Sequence, residues 1–124
     1  MGRHDEWLER ARSSLELAQS KIIMHICYED LCYQSQQTAE KALKGLLTYF
    51  GAEPKFTHNI EVLLGELKGH TGIPEHVKDA VQLTNYAVQT RYPGEYDAVT
   101  KEEHEKSIKL ARDCLDWVEA VIAG

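Results

Sequence analysis

The sequence predicts an all-α protein, an up-and-down four-helix bundle with one short additional helix. Three observations carry this. Apolar residues recur at helical three- and four-residue spacing almost throughout. The breaks fall at glycine and proline, which number only 8 and 3. No stretch shows the apolar–polar alternation of a half-buried strand. At 124 residues and 43% hydrophobic composition, one domain spanning 1–124 is expected. A chain of this length hides roughly 65–70% of its unfolded surface without disulfide staples.

The first helix is expected over about residues 5–23, where Leu8, Ala11, Leu15, Ala18 and Ile22 share a face and Asp5 and Glu6 suit an N-terminal turn. A second, longer helix runs from near Tyr28 to a glycine stop at Gly51, with Leu31, Ala39, Ala42, Leu43, Leu46, Leu47 and Phe50 inward. Pro54 keeps the next segment out of a helix. Thr57 is then expected to cap a short third helix carrying Ile60, Leu63, Leu64 and Leu67. Pro74 opens a fourth, with Val77, Ala80, Val81, Thr84 and Val88 on one side, and Pro93-Gly94 ends it. Thr100 to Glu103 matches a capping box for the fifth. Two neighbouring stripes follow there: Ile108, Ala111, Leu115, Val118 and Ile122, and Leu110, Cys114, Trp117 and Val121. So wide an apolar arc needs partners on two sides, and a second subunit is one candidate.

Charge and cysteine usage narrow the class. The 14 Lys and Arg stand against 20 Asp and Glu, a formal charge of −6 spread along the chain. This disfavours bulk coating of nucleic acid or anionic membrane but leaves room for a small basic site. Cys27, Cys32 and Cys114 are odd in number and suit a reducing, cytoplasmic setting. The N-terminus lacks the apolar core of a signal peptide, and no run approaches the roughly 20 apolar residues of a membrane span. The six histidines show no ligand spacing, so no metal and no cofactor is expected. Neither a nucleophile elbow nor a glycine-rich phosphate loop is present.

Three segments are candidates for chemistry. In the second helix Gln34, Gln36, Gln37, Glu40, Lys41 and Lys44 interrupt the apolar pattern. They read either as a solvated face with a Glu40–Lys44 pair worth about 0.3 kcal/mol, or as a polar groove whose Lys41 and Lys44 meet phosphate. Arg91-Tyr92-Pro93 can grip phosphate and stack a base, or simply end a helix. His58, at the first turn of the third helix, would be held neutral by the helix dipole and serve as a polar contact.

The run Cys32 to Lys44, then Thr57-His58-Asn59-Ile60, then Thr90-Arg91-Tyr92-Pro93 and the closing amphipathic helix together resemble the HEPN family, the higher eukaryotes and prokaryotes nucleotide-binding domain. The resemblance covers about Asp5 to Ile122. It implies a helical bundle, commonly a homodimer, working beside nucleotides or RNA. It also implies a separately encoded minimal nucleotidyltransferase as partner, in toxin–antitoxin-like pairs. Many members are metal-independent ribonucleases using an arginine and a histidine separated by four to six residues. Here that window after Arg91 holds Tyr96, Asp97 and Ala98, and the nearest downstream histidine, His104, lies twelve intervening residues away.

The expectation is therefore a module that is not itself catalytic and that binds a nucleotide or a nucleic-acid end. Gln37, Lys41, Lys44, His58, Arg91 and Tyr92 are the candidate contacts. The alternatives are a divergent ribonuclease pairing Arg91 with His104 or His58 across a dimer, and a purely structural helical partner.

Overall fold

Helix α2 is the axis on which the rest is built. The computed structural model describes residues 3–20, 26–87 and 97–124. Its elements are α1 (Arg3–Ala18), α2 (Tyr28–Tyr49), α3 (Ile60–Leu67), α4 (Glu75–Lys78), which tightens directly into a 3-10 helix over Asp79–Ala87, and α5 (Lys101–Ala123). Among the described residues there is no strand. Helix α1 runs opposite to both α2 and α5. Gly45 near the end of α2 meets Trp7 near the start of α1, whereas Lys41 reaches Ser14. The Tyr28 ring lies tilted against His104 and Ser35 bonds Ser107, so α2 and α5 run the same way. Arg12 on Glu119 and Ala18 on His104 set α1 against α5. This is the up-and-down bundle, with α3 as the short extra helix.

The core follows from the periodicity. Leu31, Ala39, Ala42, Leu43, Leu46 and Leu47 of α2 are all buried, each leucine contributing on the order of 1.5–3 kcal/mol. All of these but Leu31 pack on Leu8 and Ala11, on Ile60, Leu63, Leu64 and Leu67, and on Ala111, Cys114, Leu115 and Val118. Gly51 ends α2 with φ +82°. Ala52 N bonds Leu47 O and Gly51 N bonds Thr48 O, the paired closure that needs a left-handed residue after the helix. Thr100 caps α5 through Glu103 N, as the capping box requires.

Four details differ from the periodicity reading. Helix α1 stops at Ala18 with a turn at Gln19, and residues 21–25, with Ile22, lie outside the described residues. The third helix is capped by Asn59, not Thr57. The Asn59 Oδ1 accepts from Glu61 N and Val62 N, and the Thr57 hydroxyl serves Asn59 N instead. Asparagine is at least as good an N-cap as threonine, and it sits next to the helix. In the fourth segment the buried residues are Val77, Ala80 and Leu83. That three-residue repeat belongs to a 3-10 helix, not to 3.6 residues per turn, so a template built on 3.6 skips Leu83. On α5 the buried arc also takes in His104 and Ser107; Ile108, Trp117, Val121 and Ile122 are only half-buried.

A set of polar contacts, buried at Ser35 and Ser107 and open at Tyr86 and Glu103, ties α2, the 3-10 helix and α5 together. Ser35 Oγ and Ser107 Oγ are 2.9 Å apart, and Tyr86 donates to Glu103 at 3.2 Å. Burial, with Cys32 and Glu103 nearby, pushes the Tyr86 hydroxyl up to about 12. Burial likewise raises the Cys32 and Cys114 thiols, the latter to about 12. Only Cys27, at the exposed start of α2, is presented to solvent.

Gly45 permits the close approach of α1 to α2. A Cβ there would stand 3.0 Å from Trp7 Cβ and 3.5 Å from His4 O. Gly45→Ala is expected to cost about 1–3 kcal/mol. Gly65→Ala, in α3 where nothing lies within 4 Å, is expected to gain about 0.5–1 kcal/mol from helix propensity. Urea unfolding of the two variants checks both signs; equal effects would remove the tight-contact account.

Candidate functional site

The polar stretch of α2 is neither a solvated face nor an open groove. Gln36, Glu40 and Lys44 fall at i, i+4 and i+8 and are 0%, 5% and 7% exposed. A carboxylate so enclosed must be met by donors from every side. Glu40 Oε2 accepts from Lys44 Nζ at 3.1 Å. Its Oε1 accepts from Gln36 Nε2 at 3.1 Å and pairs with His58 Nδ1 at 2.8 Å. Burial alone would raise the Glu40 carboxyl, but His58, Gln36 and Lys44 outweigh it and hold it below the usual carboxylate range. Glu40 is therefore ionised and an acceptor only, so His58 Nδ1 donates.

This fixes the geometry of His58. Gln36 Nε2 also donates to the His58 backbone carbonyl at 3.0 Å, fastening the loop to α2. Gln37 Nε2 donates to Gln36 Oε1 at 2.8 Å and approaches Glu40 Oε1 at 3.4 Å. The His58 side chain remains 67% exposed. Its ring is thus oriented from below by a buried carboxylate and reachable from above, an arrangement suited to contacting an anion or moving a proton. His58 lies ahead of α3 and not in its first turn, so the group facing Nδ1 is Glu40 rather than a helix end.

Lys41 lies half-buried beside this cluster with Nζ on Ser14 Oγ at 2.9 Å. Burial pulls its ammonium below the usual lysine value; Glu40 opposes this and Arg10 adds to it. Lys44 is occupied from both sides, by Glu40 and by the Trp7 ring, whose centroid is 5.7 Å from Nζ.

Of the six expected contacts, Gln37, Lys44 and His58 meet at Glu40 and Lys41 stands next to them. Arg91 and Tyr92 lie outside the described residues. The pattern did not single out Gln36, Glu40 as the centre, or Trp7. The signal was the 36–40–44 spacing together with Leu43 and Leu47 on adjoining positions, which turns a polar row toward the interior. His104 is not a surface histidine: it is 8% exposed and its Nε2 donates to Ala18 O at 2.6 Å. Among the described residues no group of His, Cys, Asp and Glu is arranged to hold a metal, and no helix is long and apolar enough to cross a membrane.

The HEPN domain model matches residues 4–121 of the chain. The chain belongs to the HEPN family. The bundle of this HEPN domain is similar to TT1696 from Thermus thermophilus, at 35% identity and a TM-score of 0.83, covering 97% of this chain and 98% of that one. It is also similar to ST0689, an archaeal HEPN homologue, at 32% identity and a TM-score of 0.75, covering 98% and 99%. A HEPN domain protein from Thermotoga maritima, 24% identical with a TM-score of 0.60 over 97% and 93%, shares the fold. No protein of curated function matches the chain.

The Glu40 network yields a stability prediction for this HEPN domain. Glu40→Gln leaves the buried Lys44 ammonium without its counter-charge, an expected loss of about 3–5 kcal/mol at neutral pH. Because the folded carboxyl is held low, its contribution is present above the unfolded value of about 4.3 and fades as pH falls through the folded value. The gap between wild type and Glu40→Gln should therefore narrow in acid. Urea midpoints at pH 7, 5, 4 and 3 measure it; a gap independent of pH contradicts the account.

Proposed function

We propose that this HEPN domain binds a nucleotide or the end of a nucleic-acid strand on the face formed by His58, Lys41 and Gln37, with Arg91 and Tyr92 completing the contact and Lys44 holding the floor. The observation that carries the reading is the His58 imidazole, fastened by Glu40 and Gln36 yet two-thirds exposed, with Lys41 the next residue along α2 from Glu40. An oriented donor with a lysine close by in the helix matches a phosphate group.

The domain acts in the cytoplasm as a binding module, with phosphoryl or nucleotidyl chemistry supplied by a separately encoded minimal nucleotidyltransferase in a toxin–antitoxin-like pair. That partnership, and a homodimer, rest on the family resemblance; the half-covered Trp117, Val121 and Ile122 of α5 also favour a homodimer. A non-catalytic role is supported by the absent arginine–histidine spacing and by His104, which is spent on Ala18 inside the bundle.

A second reading is favoured by one specific feature. A carboxylate holding Nδ1 of an accessible histidine is the arrangement that orients a general base. On that reading His58, with Arg91, cleaves RNA without a metal. Incubating RNA with wild type and with His58→Ala separates the two: cleavage that disappears in the variant establishes the ribonuclease.

Calorimetric titration with a nucleotide panel tests the first reading. His58→Ala and Lys41→Ala are each expected to weaken binding about tenfold, as loss of one charged hydrogen bond implies. No binding to any nucleotide, with or without Mg²⁺, would overturn it. Sedimentation at micromolar concentration is expected to give a dimer; a monomer alone would remove that part.

A further inference from the structure

Next to the His58 face lies a feature that this reading does not use. Arg3 and Trp7 line two neighbouring cavities of about 210 and 200 Å³. The first is completed by Lys44, Lys55, Phe56 and Glu53 among others, the second by Glu6 and Arg10. Arg3, Trp7 and Arg10 fall on one face of α1, three and four residues apart. The Phe56 side chain, in the short loop between α2 and α3, is fully exposed. Phe56 thereby adds an accessible aromatic face to the wall of the first cavity, where Trp7 supplies another.

The charge at this place is opposite to that of the molecule. The chain carries −6, yet Arg3, Arg10, Lys41, Lys44 and Lys55 gather here against Glu6, Glu40 and Glu53. Aromatic faces set between cations form the recognition chemistry of a strand whose planar rings alternate with anionic linkers: the rings stack and the cations follow the backbone. An acidic peptide uses the cations but has no use for two aromatic faces. Lys44 belongs both to the Glu40 cluster and to the wall beside Trp7, so the two places are continuous.

We propose that the Arg3–Trp7–Lys55–Phe56 groove is a stacking subsite for single-stranded nucleic acid, so that the ligand of the His58 face is an oligonucleotide rather than a mononucleotide. This rests on the preceding reading and lengthens its ligand. One base stacks at Trp7 and Phe56, and the phosphates on either side meet Arg3 and Lys55.

The test compares adenosine monophosphate, a single-stranded oligoadenylate of about four nucleotides, an abasic strand of the same length and an oligoglutamate peptide, each titrated calorimetrically. Phe56→Ala and Lys55→Ala are the variants, since neither side chain supports the core. The oligoadenylate is expected to bind at least about tenfold tighter than the monophosphate, and Phe56→Ala to abolish that advantage while leaving monophosphate binding unchanged. Lys55→Ala should lower the slope of log affinity against log salt by about 0.7. Quenching of Trp7 emission in a Trp117→Phe background should accompany oligoadenylate binding and not oligoglutamate binding.

If the monophosphate binds but the oligoadenylate is no tighter, or Phe56→Ala changes nothing, the subsite is overturned and the His58 reading stands. If the abasic strand or oligoglutamate binds as well as the oligoadenylate, the groove is a general polyanion surface and the proposal fails. If the oligoadenylate binds through Phe56 but His58→Ala has no effect on either ligand, the subsite stands and the His58 reading fails. Loss of all binding overturns both.

Discussion

The polar network at the centre of this molecule hangs on one buried charge. Glu40 sits on the helix that all other elements pack around, where an ionised carboxylate is unstable unless nearly every lone pair is used. Lys44 and Gln36 come from the same helix one turn away on either side, so α2 supplies most of the compensation by itself. The remaining partner must arrive from elsewhere, and His58 is that partner. The loop between α2 and α3 is thus fixed by electrostatics more than by apolar burial, its most prominent apolar side chain, Phe56, being in water. Site and stability are one network: a change that frees the histidine also strands a buried cation.

How much of this could be read in the sequence depends on which forces were involved. The leucines of α2, the glycine closure at Gly51 and the Thr100 cap were legible because periodicity and terminal chemistry are local. Asn59 displaced Thr57 as a cap because both are competent and only the path of the loop decides between them. Leu83 was invisible to a 3.6-residue template, since a 3-10 segment repeats every three. Glu40 was hardest. A Glu–Lys pair four residues apart looks the same in water and in a core; its burial depends on α1 and α3 covering it, which no window on α2 contains.

The electrostatic pattern has the same origin. The chain is acidic on average, but the lysines and arginines of α1 and α2 meet because those helices are antiparallel and in close contact, bringing residues more than thirty positions apart side by side. Net charge therefore says little about the molecule's local potential. The HEPN fold, shared with bacterial and archaeal proteins at about a third identity, is the frame that creates such a meeting; the particular side chains placed on it decide what the frame holds.

Gly45 has a mechanical consequence. With Trp7 Cβ against its bare Cα, and His4 and Leu8 alongside, α1 and α2 mesh like a tooth in a notch: sliding either helix by a fraction of a turn would drive a side chain into backbone. Adjustment to an incoming molecule along this seam is thus confined to side-chain rotation, for which Lys55 and Phe56, exposed on the neighbouring loop, are free. The two helices form a rigid anvil, and the exposed side chains over it are what can turn to meet a ligand.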